Sequence, residues 1–430
     1  MNEKSETDNF FDSITNINKK TGLIFIFIPI IMSLFFIEAL RAYIPGVYSQ
    51  MFHVVFQDEG WEMSLLSLLT LILFSLPLFT RILCKKFKTK RMVIISILVI
   101  AISRLFMSFK ISVLLDTVFC GLIIGFYGIF VGSFIGFQLI NKSNSSNTTK
   151  IGLFSSTFFI AILIDFFIRT LGFTADYTLI SWPLFGLPFY YTQYIWIIFQ
   201  AILSLITIIL PLKYWSKCTK DYEPIEFKPE NEKKGKNFIA LLSGVGLGAF
   251  LFLEINLFLY PNVIAQYTNT DYYLINIIVI GMVTLTCILF FIFKQEVWMD
   301  IKVIGLLNIL FIIGFVIFVL FGHILGLFAA IFASISVLPI LIDVYILFKF
   351  AVKRGRKDNK VRMFSNIFAI GFGIMLLLVF IFDFTTDWSF IIEALRNCGP
   401  AVLIIGAILL AVPVIIESYI GGNNKGGSEK

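Results

Sequence analysis

Long apolar runs, most of about 20 residues or more, follow one another along the whole chain and limit its possible folds more than any other feature. A helix of about 20 apolar residues has the length needed to cross the hydrocarbon core of a bilayer. Charged residues make up 14% of the chain, whereas an average soluble domain carries about 25%. The sequence therefore predicts an integral membrane protein.

The apolar runs predict twelve membrane-spanning helices, which we number as spans one to twelve. In chain order they are placed at about 23–47, 61–83, 92–109, 112–140, 151–172, 191–214, 237–259, 272–293, 302–322, 325–350, 362–383 and 399–420. The first run is too long for the core of a signal peptide and lacks a clear cleavage site, so we interpret it as a retained span. The predicted class is an all-α polytopic membrane protein.

The distribution of charged residues sets the orientation of these spans. Alternate loops hold most of the basic residues: Lys19, Lys20, Arg81, Lys85, Lys86, Lys88, Lys90, Arg91, Lys142, Lys150, Lys294, Lys302, Lys353, Arg354, Arg356, Lys357, Lys360 and Arg362. The other loops hold Asp58, Glu59, Glu62, Asp176, Asp271, Asp387 and Glu393, with Lys110 and Arg396 against the pattern. Because basic loops stay in the cytoplasm, both termini are predicted to be cytoplasmic, in a protein of the plasma membrane.

One long polar segment divides the spans into two groups of six. Residues 216–236, SKCTKDYEPIEFKPENEKKGK, mix both signs of charge with two prolines, which is typical of a linker. The predicted domains are a cytoplasmic tail at 1–22, a six-helix bundle at 23–215, a cytoplasmic linker at 216–236, a second six-helix bundle at 237–420 and a cytoplasmic tail at 421–430.

Composition argues against several other classes of protein. The net charge of +7 comes from loop residues that the orientation rule explains, so no nucleic-acid partner is expected. Two histidines and five scattered cysteines without a CxxC pair predict neither a metal site nor a cofactor. The sequence contains no phosphate-binding G-x-x-x-x-G-K-[ST] motif, and we predict no catalytic residues and no enzyme.

The two groups of spans share an internal repeat. In span one, FIEALRAYIPGV runs from Phe36 to Val47, and in span seven FLEINLFLYPNV runs from Phe252 to Val263, an offset of 216 residues. The same Glu-to-Pro spacing occurs in both segments. A second similarity links GFTADY at the end of span five to DFTTDW at the end of span eleven, at an offset of 211. These matches predict duplicated halves, as in many transporters.

A parallel repeat of six spans about a central cytoplasmic loop resembles the major facilitator superfamily. The segment RILCKKFKTKR, from Arg81 to Arg91, matches the position, length and basicity of that family's G-x-x-x-D-R-x-G-R-R loop between spans two and three. However, Arg81, Lys85 and Lys88 stand where Gly, Asp and Gly are expected. The gating contact attributed to the family's aspartate therefore cannot be transferred to this chain.

The resemblance implies two pseudo-symmetric six-helix bundles, with spans one, four, seven and ten lining a central cavity. Charged residues that such a cavity would place in water are candidates for binding the solute or for coupling its movement to protons. These candidates are Glu38, Arg41, Asp116, Glu254 and Asp343. Of these, Glu38 and Glu254 are the candidates for proton coupling, and Arg41 is the candidate for holding an anionic group.

Other charges within the spans form a predicted intramembrane network of Arg104, Asp165 and Arg169. A charge at the centre of a spanning helix costs about 2.5 to 3.5 kcal/mol on insertion scales, so each needs a partner or a function. With a rise of about 1.5 Å per residue, Glu38, Arg104 and Asp165 lie in one layer, roughly 20 to 25 Å from the inner surface. Salt bridges that hold helices together and a role in transport both remain open for four of these charges: Arg104, Asp116, Asp165 and Arg169.

Two further groups of residues are predicted to shape the spans. Pro45 and Pro261 lie near the outer ends of spans one and seven, where they either permit gating kinks or end the helices. Span four carries a stripe of small residues that favours close helix packing: Gly121, Gly125, Gly128, Gly132 and Gly136.

A secondary active transporter of a small solute, working by alternating access, explains these features best, and a proton symporter is one form of it. One alternative is a transport-inactive membrane sensor or scaffold on the same fold, which the altered loop between spans two and three favours. Another is a membrane-embedded lipid-modifying enzyme, which the scarcity of histidine disfavours. The expected partners are membrane lipid, a small solute and protons, and the protein is expected to be a monomer.

Overall fold

The computed structural model describes residues 19–43, 60–109, 113–140, 160–161, 164–165, 189–218, 241, 244–248, 278, 281, 324, 328, 367 and 369–378. Nearly all of these residues are helical. The chain divides into two compact units, one of Met1–Pro224 with Phe380–Thr386 and the other of Ile225–Val379 with Asp387–Lys430.

The helices of the first unit follow the apolar runs. They are α1 (Lys19–Tyr43), α2 (Gly60–Ser75), a 3₁₀ turn (Leu76–Phe79), α3 (Thr80–Phe87), α4 (Thr89–Ser108), α5 (Val113–Ile140) and α6 (Phe189–Cys218). Helices α1, α4, α5 and α6 correspond to spans one, three, four and six, and α2 with α3 forms span two. Several helices extend past the predicted bounds, and α6 reaches into the predicted linker, because hydropathy marks the lipid-embedded part of a helix rather than its ends.

Span two is interrupted where the sequence predicts one continuous helix. Proline has no backbone N–H and disrupts the regular helical hydrogen bonds, and Pro77 lies in the 3₁₀ turn between α2 and α3. The Oγ1 atom of Thr80 donates to the carbonyl oxygen of Pro77 over 2.6 Å, which satisfies an acceptor inside the turn. Span two therefore consists of two α-helical segments joined by a 3₁₀ turn that contains Pro77.

The connection between spans two and three is much shorter than the basic loop predicted from Arg81 to Arg91. Helix α3 continues to Phe87 and α4 begins at Thr89, so Lys88 alone joins them. Lys88 has φ 67° and ψ 141°, a backbone conformation that favours glycine. Its carbonyl oxygen accepts hydrogen bonds from the backbone N–H groups of Arg91 and Met92, both at 3.1 Å.

Among the helical stretches whose side chains are described, α4 is the one that is long and apolar enough to cross a bilayer by itself, with a mean hydropathy of 2.0. The other apolar stretches are described over shorter lengths: Phe27–Leu40, Leu68–Cys84, Val118–Phe134, Ile198–Lys213 and Ala369–Leu378.

Helix α6 has the reverse of the polarity that a soluble helix shows. Its inward face carries Gln200, Ser204 and Thr207, all completely buried. Its outward face exposes large apolar side chains at helical spacing: Ile198, Ile202, Leu205, Ile209 and Leu212. In water a helix buries its apolar face. The arrangement of α6 is stable in a lipid environment, where the exposed face meets hydrocarbon and the polar groups bond within the protein.

Helices α1 and α5 pack along a buried seam. Ser33 and Tyr127 hydrogen-bond through their hydroxyl groups at 2.8 Å, and the ring of Tyr127 stacks on Phe36 with 4.2 Å between centroids. Further along, the Cys120 thiol donates to the carbonyl oxygen of Ala39 over 2.8 Å. These contacts fix the rotation of α1 and so determine which of its residues face α5.

Glycines bring α2 close to α5 in the first unit. A Cβ atom added at Gly121 would lie 2.7 Å from Cδ1 of Leu73, and one added at Gly125 would overlap the backbone carbonyl of Leu73. At Gly121 a larger side chain needs the Leu73 side chain to move, and at Gly125 it needs α2 itself to move.

In the second unit, glycines also allow close packing, here between segments of spans seven and eleven. A Cβ atom added at Gly248 would lie 2.7 Å from the carbonyl oxygen of Gly371, and one at Gly371 would lie 2.8 Å from Cδ2 of Leu247. Leu247, Met375 and Leu376 are fully buried at this contact. Residues 244–248 and 369–378 therefore form a closely packed helix pair.

Candidate functional site

Three polar side chains from three helices form a closed group inside the first unit, which we call the ionic cluster: Glu38 of α1, Arg104 of α4 and Gln200 of α6. The Nη2 atom of Arg104 lies 2.8 Å from Oε2 of Glu38, and the Nε atom of Arg104 donates to Oε1 of Gln200 over 3.1 Å. The amide nitrogen of Gln200 donates to both carboxylate oxygens of Glu38, at 2.7 and 2.9 Å. Each residue bonds directly to the other two.

The helical spacing of buried residues directs each member inward. On α4, Val93, Ile97, Ile100 and Arg104 recur every three or four residues, so Arg104 extends an apolar buried face. Gln200 begins the buried polar face of α6. The hydroxyls of Ser204 and Thr207 on that face donate to carbonyl oxygens of their own helix and so need no partner elsewhere.

The ionic cluster is nearly sealed from its surroundings. The side chains of Arg104 and Glu38 keep 8% and 9% of their surface exposed, and Gln200 is completely buried. A charge in such a place is stable only when it is paired and hydrogen-bonded, and the cluster supplies both. Removing one charged partner from a buried pair typically costs about 3 to 5 kcal/mol, because the other charge stays buried.

The other predicted site residues are only partly described. Arg41 lies in α1 and Asp116 in α5, but their side chains are not described. Five predicted residues lie wholly outside the described residues: Arg169, Glu254, Asp343, Pro45 and Pro261. Asp165 of the predicted network is buried in the first unit. The structure thus brings together Glu38, a predicted coupling candidate, and Arg104, a predicted network residue.

Within the glycine stripe of α5, Gly121 and Gly125 face Leu73 of α2. Gly128 and Gly132 are buried, and Gly136 lies in α5 beyond the residues with described side chains.

Gln200 was absent from the predicted site. A neutral amide in an apolar run carries no charge to mark it, and the prediction considered charged residues. The available signal is the spacing of Gln200, Ser204 and Thr207, which places three polar side chains on one face of an otherwise apolar helix. Polar residues inside spanning helices usually face the protein interior, so this stripe identifies the buried face of α6.

Comparison with known proteins gives a match at the level of structure. No protein-family model and no curated protein matches the sequence. The solved structure of the human organic anion transporter MFSD10 (TETRAN) is similar to this chain with a TM-score of 0.54 and 12% identity, over 91% of this chain and 99% of that one.

Structures of FucP show the same similarity. FucP is described as a major facilitator superfamily transporter, and its outward conformation matches with a TM-score of 0.54 and 14% identity, over 91% of this chain and 98% of that one. A point variant of the E. coli fucose:proton symporter FucP matches over the same shares with a TM-score of 0.52 and 14% identity. The chain has the major facilitator superfamily fold.

The similarity to these structures confirms two predictions. The chain is an all-α polytopic membrane protein, and its fold resembles that of the major facilitator superfamily. The ionic cluster thus joins spans one, three and six within the first half of a major facilitator fold. The predicted domain bounds stay predictions.

The loop motif that the sequence resembles has glycine at the position of Lys88, and here lysine adopts φ 67°, a conformation that favours glycine.

Proposed function

We propose that this protein is a secondary active transporter that moves a small solute across the plasma membrane by alternating access. The fold supports this proposal, because the similar solved structures are transporters. The distribution of basic loops supports a cytoplasmic location for both termini. The protein is proposed to act as a monomer.

The observation that carries the proposal is the ionic cluster of Glu38, Arg104 and Gln200. Ionisable side chains inside spanning segments are costly, and they commonly mark solute or proton pathways. A fully apolar contact between α1, α4 and α6 would join these helices without that cost. The presence of a carboxylate and a guanidinium 2.8 Å apart in this contact therefore favours a role in transport.

Glu38 and Glu254 are the proposed proton-coupling residues. They occupy matching places in the internal repeat, and a buried carboxylate can load and release a proton as its surroundings alternate between wet and dry. Protonation of Glu38 would remove the counter-charge of Arg104, so it would change the bonding of three helices at once. Arg41, Asp116 and Asp343 are proposed to contact the solute.

The fold by itself does not set the solute. One similar protein is named for an organic anion and another for fucose with protons, so proteins of this fold carry chemically different solutes. The choice of solute depends on the residues of this chain.

A proteoliposome assay tests this proposal. The purified chain is reconstituted with a pH-sensitive dye inside the vesicles, and acidic, zwitterionic, sugar and nucleoside solutes are added outside. We expect at least one solute to acidify the interior in wild-type vesicles and the double variant Glu38→Gln/Glu254→Gln to lose this signal. Glu62→Gln, a carboxylate-to-amide change in the first turn of α2, is the matched control and should keep it.

A sensor or scaffold on the same fold is the second candidate function, because Arg81, Lys85 and Lys88 replace the Gly, Asp and Gly of the family's loop. The two functions separate in one comparison. A scaffold keeps its binding partners when Glu38 and Glu254 are neutralised and moves no solute in either form, whereas a coupled transporter loses proton-driven uptake.

A further inference from the structure

Arg104 has hydrogen-bond donors beyond those that the ionic cluster uses. A guanidinium carries five N–H donors in a planar fork. Gln200 takes the one on Nε and Glu38 takes one on Nη2. Both N–H groups of Nη1 donate to no atom among the residues that the structure describes, although Arg104 is 93% buried, with a relative exposure of 7%.

We propose that Nη1 of Arg104 is a binding group for the carboxylate of a small monocarboxylate solute. This inference rests on the proposed transport function and names the class of solute. Glu38 and Gln200 occupy the edge formed by Nε and Nη2, which leaves the edge formed by Nη1 and Nη2 for a second ligand. Two parallel N–H groups on one edge of a guanidinium match the two oxygens of a carboxylate.

Exposure and charge together make Arg104, rather than Glu38 or Gln200, the member of the cluster that an anionic solute can contact. Gln200 is completely buried, whereas the side chain of Arg104 keeps 8% of its surface exposed. Glu38 carries a negative charge and repels an anion directly. The positive group with unused donors is thus the part of the cluster that an anion can approach favourably.

The charge of the cluster predicts what must accompany the solute. With Glu38 ionised the three residues of the cluster sum to zero charge, so a bound carboxylate makes the cluster negative in a low-dielectric place. One proton entering with each anion restores neutrality. Among the described residues bonded to Arg104, Glu38 of α1 is the titratable one, and Gln200 of α6 is neutral at all pH values.

Ligand-induced stabilisation of the purified full-length chain tests the inference. Melting temperatures are recorded with acetate, lactate, pyruvate or benzoate, and with the matching neutral amide of each at the same concentration. A ligand that binds only the native state stabilises it according to its concentration relative to Kd. We expect at least one carboxylate to raise the melting temperature and its amide to have no effect.

Two variants assign the effect to Arg104. In Arg104→Lys the positive charge remains but the planar fork is lost, and we expect the apparent Kd to weaken about 10- to 100-fold, as loss of a charge-assisted hydrogen bond predicts. Arg91→Lys, an exposed position at the start of the same helix, should leave the Kd unchanged. The comparison of acid with amide on the wild type needs no variant, so it stands even if Arg104→Lys fails to fold.

Each contrary result overturns the inference in a distinct way. Amides that stabilise as well as acids would show that the solute is not recognised as an anion, and an unchanged Kd in Arg104→Lys would place the anion elsewhere. If none of the carboxylates binds, the inference is wrong, while the proposed transport function is still judged by the wider solute panel in vesicles.

Discussion

Oε2 of Glu38 lies 2.8 Å from Nη2 of Arg104, although the two residues are 66 positions apart in the sequence. This pair ties span one to span three, and Gln200 adds span six to the same contact. The pair is therefore an electrostatic bond between helices in the described interior.

Breaking the pair on one side should destabilise the protein strongly. Arg104→Met leaves the Glu38 carboxylate without its counter-charge, so we expect a loss of about 3 kcal/mol or more. The double variant Glu38→Gln/Arg104→Met removes both charges and should recover part of this loss. Melting temperatures in detergent check the prediction, and equal losses in the single and double variants would contradict it.

Replacing Gln200 by leucine should destabilise the protein by about 1 to 3 kcal/mol, because a buried carboxylate and a guanidinium each lose a hydrogen-bond partner. Ser204→Ala is the matched control on the same buried face. Its hydroxyl bonds only within α6, at 2.8 Å to the carbonyl oxygen of Gln200, so its loss should change the melting temperature much less. A larger effect of Ser204→Ala than of Gln200→Leu would refute the assigned roles.

Alanine at Gly125 should destabilise the contact between α2 and α5. Its Cβ atom would overlap the backbone carbonyl of Leu73, which cannot move without the helix, so we expect a cost of about 1 to 3 kcal/mol. Gly281 is the control, because a Cβ atom there would meet no atom of the described residues within 4 Å. Thermal unfolding of Gly125→Ala and Gly281→Ala measures the difference, and similar melting temperatures would show that the helices are not this close.

Glycine at Lys88 should stabilise the protein. Lysine at φ 67° and ψ 141° is strained by about 1 to 3 kcal/mol, and glycine adopts this conformation without that strain. Lys86→Gly, in the last turn of α3, should give no stabilisation, because its backbone is already helical and glycine is a poorer helix former than lysine. A fall in the melting temperature of Lys88→Gly would contradict the assigned backbone conformation.

The sequence predicts the fold well because two independent patterns agree on it. Runs of apolar residues set the length of the helices, and the alternation of basic and acidic loops constrains their number. Helix ends were less predictable, since α3 and α6 continue into polar sequence where backbone hydrogen bonds persist without apolar side chains.

The candidate site was only partly predictable. Depth along the helices placed Glu38 and Arg104 in one layer, but their pairing depends on how α1 and α4 are rotated, which packing contacts such as Ser33 with Tyr127 determine. Gln200 is neutral and was missed for that reason. The unusual backbone conformation of Lys88 was also not predictable, because a lysine in the sequence does not indicate a conformation that glycine normally adopts.

Uptake by reconstituted vesicles is the most direct test of transport, because it needs no assumption about the solute or the coupling ion. Wild-type proteoliposomes and protein-free liposomes are incubated with a mixture of small metabolites, washed, and their contents compared by mass spectrometry at two external pH values. Accumulation of at least one solute in the wild-type vesicles alone is the predicted result. Identical contents in both kinds of vesicle at both pH values would contradict the proposed transport function.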